Sequence, residues 1–138
     1  MMRYVLEGLF SMKGGVHLGV QASKRKRKLE ARRRWKRRGG RVAQLIGRAR
    51  EERVYEAFTD TLDLPAWFRS IRHSSPREDR QGIDFVLDTS MGRQLLQVKG
   101  SAVRALRFRR KRSIPVIVVC PTDSQRVIRQ KVKEALAL

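Results

Sequence analysis

Apolar and polar positions along this chain follow two periods. From Arg41 to Leu62 the apolar set recurs at helical spacing. Ala43, Gly47, Val54, Tyr55, Phe58 and Leu62 fall on one face of a wheel at about 100° per residue. Asp63 and Pro65 mark the end of that helix. Trp67 to His73 alternates moderately and reads as a first strand. Ser74 to Gln81 is polar, contains Pro76 and reads as a loop. Gly82-Ile-Asp-Phe-Val-Leu87 and Leu95-Leu-Gln-Val-Lys-Gly100 read as two further strands, with Thr89-Ser-Met-Gly92 as the turn between them. Ser101 to Arg112 is expected to be helical, with Val103, Leu106 and Phe108 as its packing residues. Ile114 to Cys120 is nearly all apolar, the mark of a strand covered on both faces, with Pro115 tolerated near its start. Thr122-Asp-Ser-Gln125 resembles a capping box. It opens a last helix whose stripe is Val127, Ile128, Val132, Ala135 and Leu136. The predicted order is helix, three strands, helix, strand, helix, an α/β domain over residues 42–138.

The N-terminal part has no such pattern. Residues 1–22 show no clear period and carry four glycines. They make a poor signal peptide, because Glu7, Lys13 and His17 interrupt their apolar residues. A true start at Met12 or later is an alternative. Residues 24–41 hold twelve Lys/Arg and one acid, Glu30. They contribute +11 of a formal charge of +20, leaving +9 for the rest. Like charges at that density repel, so residues 1–41 are expected to be poorly ordered, with 24–41 a solvated basic arm or a helix formed only on a polyanion. Trp35 within the arm is suited to stacking on a base or to docking on the domain.

The charge narrows the partners. A balance of 33 basic to 13 acidic residues is the footprint of nucleic-acid binding. An anionic membrane surface attracts the same charge, but no run of eighteen apolar residues exists to span one. Cys120 is the only cysteine, so an intramolecular disulfide is impossible and a reducing compartment is the default. The expected location is cytoplasmic, in a protein of prokaryotic or phage type, and not secreted. His17 and His73 lack zinc-ligand spacing, and Lys13-Gly-Gly lacks the rest of a phosphate-binding loop.

The hairpin carries the chemistry. Centred between Ser90 and Met91, it sets Thr89 opposite Gly92, Asp88 opposite Arg93 and Asp84 opposite Gln97. Alternation puts Lys99 on the Gln97 face, and opposed residues share a face at roughly 4.5–5.5 Å. One carboxylate, one amide and one ammonium therefore converge. Taken alone, Asp84 and Lys99 also read as a cross-strand ion pair, and Asp88 with Arg93 reads as a surface one. Glu51 lies at the centre of the apolar stripe of the first helix. Glu52 is about 100° and Glu56 about 140° away on the same wheel. A carboxylate on a buried stripe is costly unless something pairs with it. Glu51 and Asp84, with the Gln97 side-chain oxygen and the Val98 carbonyl, make an oxygen donor set suited to Mg²⁺ or Mn²⁺, and Lys99 stands beside it.

Asp84, then Gln97-Val98-Lys99, preceded by a helix bearing Glu51, resembles the PD-(D/E)XK nuclease superfamily with its restriction-endonuclease-like αβββαβ core. The helix Gly47-Arg-Ala-Arg-Glu51, followed by Val54 and Phe58, is similar to the first helix of archaeal Holliday junction resolvases. The resemblance implies Mg²⁺-dependent cleavage of DNA, possible branched or junction substrates included, with Asp84 as central ligand and Lys99 beside the attacking water. Two positions depart from the pattern. Gln97 stands where Asp or Glu is usual, and Ile83 where Pro is frequent. The formal charge of Glu51, Asp84 and Lys99 is then −1, and weaker metal binding follows.

DNA phosphates are the expected contacts of Arg104, Arg107, Arg109, Arg110, Lys111 and Arg112. The same holds in the arm for Lys24, Arg25, Lys26, Arg27, Lys28, Arg32, Arg33 and Arg34. Cutting both strands of a duplex favours a homodimer. The competing readings are a catalytically silent nucleic-acid binder on the same fold and a basic ribosome-associated protein.

Overall fold

The computed structural model describes residues 14–138, and it separates into two units at the Val42/Ala43 boundary. The expectation for residues 1–13 lies outside the described residues. Helix α1 is assigned to Gly14–Thr59. Residues 24–41 are thus helical, where the sequence reading allowed a solvated basic arm or a helix formed only on a polyanion. The stretch contains no proline and, apart from Trp35, Gly39 and Gly40, is built from Lys, Arg, Leu, Ala and Glu, all strong helix formers. From Ala22 to Leu45 every side chain of α1 is exposed.

The second unit adds β1 (Phe68–His73), α2 (Pro76–Arg80), β2 (Phe85–Thr89), β3 (Gly92–Lys99), α3 (Ala102–Lys111), β4 (Val116–Val118) and α4 (Gln125–Ala135). The four strands form one mixed sheet in the order β1-β2-β3-β4. The first two pairings are antiparallel and β3–β4 is parallel. The hairpin register is the one the alternation predicts: Thr89 faces Gly92, Asp88 faces Arg93 and Phe85 faces Leu96. The turn is locked by Thr89 Oγ1, which donates to the Gly92 carbonyl and accepts from the Met91 N–H. Gly92 has φ +96°, a conformation that disfavours a β-carbon.

One sheet face carries the main core. Phe85, Leu87, Leu96, Val98 and Ile117 pack there with Val54, Ala57 and Phe58 of α1 and with Ile128, Val132 and Leu136 of the C-terminal helix. Phe58 stacks on Phe68 at 4.9 Å between ring centroids and meets Trp67 edge-on. Polar clamps complete the arrangement. Arg53 donates to the Cys120 and Asp123 carbonyls, and Arg129 donates to the Ala57 carbonyl. Val86 and Val116 alternate to the opposite face, and α3 buries Ala105.

Several expectations change. The first helix ends at Thr59, and Leu62 is fully exposed beyond it. The polar loop contains α2, opened by a complete capping box: Ser75 accepts from the Glu78 N–H, and Glu78 accepts from the Ser75 N–H. The last helix is capped by Ser124, not Thr122, because the Ser124 side chain accepts the Val127 N–H. Asp123 turns away to accept from the Cys120 N–H and from Lys131. Val103, Leu106 and Val127 are exposed. The small Ala105 lets α3 approach the sheet closely, and its larger apolar neighbours point outward. Strand β4 is shorter than its apolar run. Among the described residues, no helix is long and apolar enough to cross a membrane.

Candidate active site

Strand ends and one helix turn build the site. One residue before the Phe85–Leu96 pair, the ladder brings Asp84 to Gln97. Asp84 bonds to both neighbours of Gln97: its N–H donates to the Leu96 carbonyl at 2.9 Å, and its Oδ2 accepts the Val98 N–H at 2.7 Å. The Asp84 carbonyl accepts the N–H of Ser74, the residue just past β1. Backbone bonds from β3 and from the end of β1 therefore fix this aspartate. On the other side, β4 holds Gln97 and Lys99: the Gln97 N–H donates to the Pro115 carbonyl and the Lys99 carbonyl accepts the Val119 N–H.

Asp84 is only 9% exposed, and among the described residues it belongs to no ion pair. Burial pushes its carboxyl up to about 6, against the Val98 hydrogen bond and with help from the Glu51 charge. Glu51 is half-buried and also raised, first by burial and then by Asp79. Glu52 is exposed. Of the two, Glu51 is the one that lines the cleft above β3, with Gln97 and Lys99.

The cation beside these acids is not paired away. Among the described residues, Lys99 forms no ion pair within 4.0 Å. Its Nζ lies over the Phe108 ring, 5.1 Å from the centroid, and this aromatic contact holds the ammonium at the cleft. The expected surface pair, Asp88 with Arg93, does form at 3.5 Å.

Gln97 tests whether a hard cation suits the site. It is 6% exposed, and among the described residues its Oε1 has no hydrogen-bond partner. Its Nε2 makes only a long 3.5 Å contact to the Val98 carbonyl. A buried, orphaned amide oxygen costs about 1–3 kcal/mol unless a donor or cation meets it. Among the described residues, no three His, Cys, Asp or Glu side chains cluster at metal-binding spacing. The donor types present, two raised carboxylates and this amide oxygen, are those that an oxygen-preferring divalent ion takes.

Two neighbours escaped the sequence reading. Asp79, on α2, acts electrostatically on both Glu51 and Asp84. Its segment reads as a loop in sequence, and only the Ser75–Glu78 capping pattern signals a helix there. Arg50 lines the cleft and lies across Gly100, where a β-carbon would collide with the guanidinium. The glycine directly after Lys99 was the available signal.

The structure also sorts the basic residues of α3. Arg104, Arg107 and Lys111 line the cleft, on one face of the helix. Arg109 instead donates to the Val116 carbonyl, and Arg110 and Arg112 are exposed away from the cleft. The cleft measures about 430 Å³. In the first unit, Lys24 to Lys28 and Arg32 to Arg34 are all exposed. No family model, curated protein or solved structure matches this chain.

Proposed function

We propose that this chain is a metal-dependent DNA endonuclease of the PD-(D/E)XK type, built on a restriction-endonuclease-like αβββαβ core with α2 inserted after the first strand. The observation that carries this reading is the unpartnered, buried Gln97 Oε1 between a desolvated Asp84 and the cleft that holds Glu51 and Lys99. A purely structural hairpin gains nothing from burying an amide oxygen without a partner beside a carboxylate that burial has raised.

In this reading Asp84, Glu51, Gln97 Oε1 and the Val98 carbonyl hold Mg²⁺ or Mn²⁺. A hard cation supplies charge neutralisation at the phosphate and a more acidic water. Lys99, fixed over Phe108, stabilises charge developing on the phosphate oxygens. Arg104, Arg107 and Lys111 draw the phosphate backbone to the cleft, and Arg50 adds a fourth cation beside Glu51. Burial of Asp84 and Gln97 keeps bulk water from competing at the site.

Gln97 also supports a second reading, a silent binder on the same fold, because a neutral residue lowers the site charge. One experiment separates the two. Linear and branched DNA are incubated with Mg²⁺ or Mn²⁺ and wild type, Asp84→Ala or Lys99→Ala. The nuclease reading expects cleavage by wild type and a loss of at least about 100-fold in each variant, the scale of removing one electrostatic catalytic group. Binding without cleavage in wild type supports the silent binder. Robust cleavage by both variants refutes the site.

A further inference from the structure

In the first unit one large aromatic side chain stands among cations. Trp35 is 81% exposed, although an indole ordinarily gains from burial. Trp35 lines two recesses. One, of about 350 Å³, is shared with Arg27, Arg34 and Arg38. The other, of about 610 Å³, is shared with Arg32, Arg33 and Lys36. Arg32 and Arg38 sit three residues to either side of Trp35, the spacing of helix-surface neighbours. Glu30, the one acid of the stretch, shares the first recess with three arginines, so that side stays positive.

We propose that Trp35 and these six cations form a binding site for single-stranded nucleic acid. The indole stacks on an unpaired base, and the cations take the adjoining phosphates. Each part has a separate consequence. The cations attract any polyanion, paired or not. The indole adds affinity only where a base presents a free face, because duplex bases already stack on their neighbours. Trp35 therefore biases the chain toward gaps, flaps, ends or junction centres.

The alternative polyanion, an anionic lipid surface, fits less well. Interfacial helices insert a continuous apolar face. Here Leu29 and Trp35 are the only large apolar side chains of residues 24–41, and six residues separate them by about 120° around the helix. Cations occupy the angles between.

The proposal rests on the nucleic-acid part of the proposed function and not on cleavage, so the test is a binding measurement in EDTA. Anisotropy of labelled oligothymidylate is compared with that of a blunt duplex of equal length. The expected result is roughly 5- to 150-fold weaker oligothymidylate binding by Trp35→Ala, the range one stacked base supports, with less than about twofold change on the duplex. Trp35→Tyr recovers most of the loss. The salt slope is unchanged, since no charge is removed. Equal loss on both ligands, no loss on the single strand, or no recovery by Trp35→Tyr would overturn the proposal. So would Trp35→Ala releasing the protein from phosphatidylserine vesicles while oligothymidylate binding stays at the wild-type level. Wild type binding neither nucleic acid would sink the nucleic-acid reading itself, whereas absent cleavage with intact binding leaves this site standing.

Discussion

Asp84→Asn is expected to stabilise the fold at neutral pH. Burial holds the Asp84 carboxyl at about 6, against 3.8 for an unperturbed aspartate. Between those values the folded protein binds more protons than the unfolded chain. Stability therefore falls as pH rises through that window, and the loss is complete above about 6. At about 1.36 kcal/mol per pH unit the penalty is roughly 3 kcal/mol. Asparagine keeps the size of the side chain and an oxygen for the Val98 N–H, and the charge-assisted strength of that bond is already contained in the raised value. The gain is therefore roughly 3 kcal/mol at about pH 8, and it largely disappears near pH 4, where wild type is already protonated. Urea unfolding without divalent metal, followed by circular dichroism at both pH values, measures it. The midpoint should shift upward by at least about 1 M at about pH 8 and not at pH 4. No gain at about pH 8, or the same gain at both, would refute the claim that a desolvated carboxylate sits here. The variant trades function for stability, as a site that concentrates unpaired polar groups predicts.

Other outcomes follow from the same geometry. Gln97→Glu raises the formal site charge from −1 to −2 and should lower the Mg²⁺ concentration for half-maximal cleavage by about tenfold, measured by metal titration. Because Asp84 must shed its proton to hold a cation, that concentration should climb steeply below about pH 6 in wild type. The double variant Arg107→Ala/Lys111→Ala should weaken DNA binding and flatten its log–log salt dependence by about 2, and an unchanged slope would remove these residues from the phosphate contacts. Phe58→Ala should cost about 3–5 kcal/mol in thermal or urea unfolding, because the ring is fully buried against Phe68 and Trp67.

The strands were easier to read than the helices. Alternation and a tight turn specify a hairpin locally, so the pairing of Asp88 with Arg93 and the approach of Asp84 to Gln97 follow from a few residues. On α1, Val54 and Phe58 are buried as the wheel predicts, but Ala57 joins them and Leu62 does not. A wheel gives angle and says nothing of where the neighbouring element stops. The α3 residues show the same limit: Val103 and Leu106 are apolar yet exposed, and Ala105 makes the contact. At α4 the local pattern favours Thr122, which has Gln125 three residues on, yet the cap is Ser124, because the partners of Asp123 turn the chain there.

By itself the sequence determined the charge, the element order of residues 42–138 apart from α2, the hairpin register and the approach of Asp84 to Gln97. These depend on composition and on periods of two and about 3.6, which are local properties. Tertiary structure alone decided that Gln97 Oε1 is buried without a partner, that Lys99 rests on Phe108 and not on a carboxylate, that Asp79 joins the acids, and which α3 cations face the cleft. Those outcomes are set by desolvation and by contacts between residues distant in sequence. Neither quantity exists until the sheet and its helices have packed.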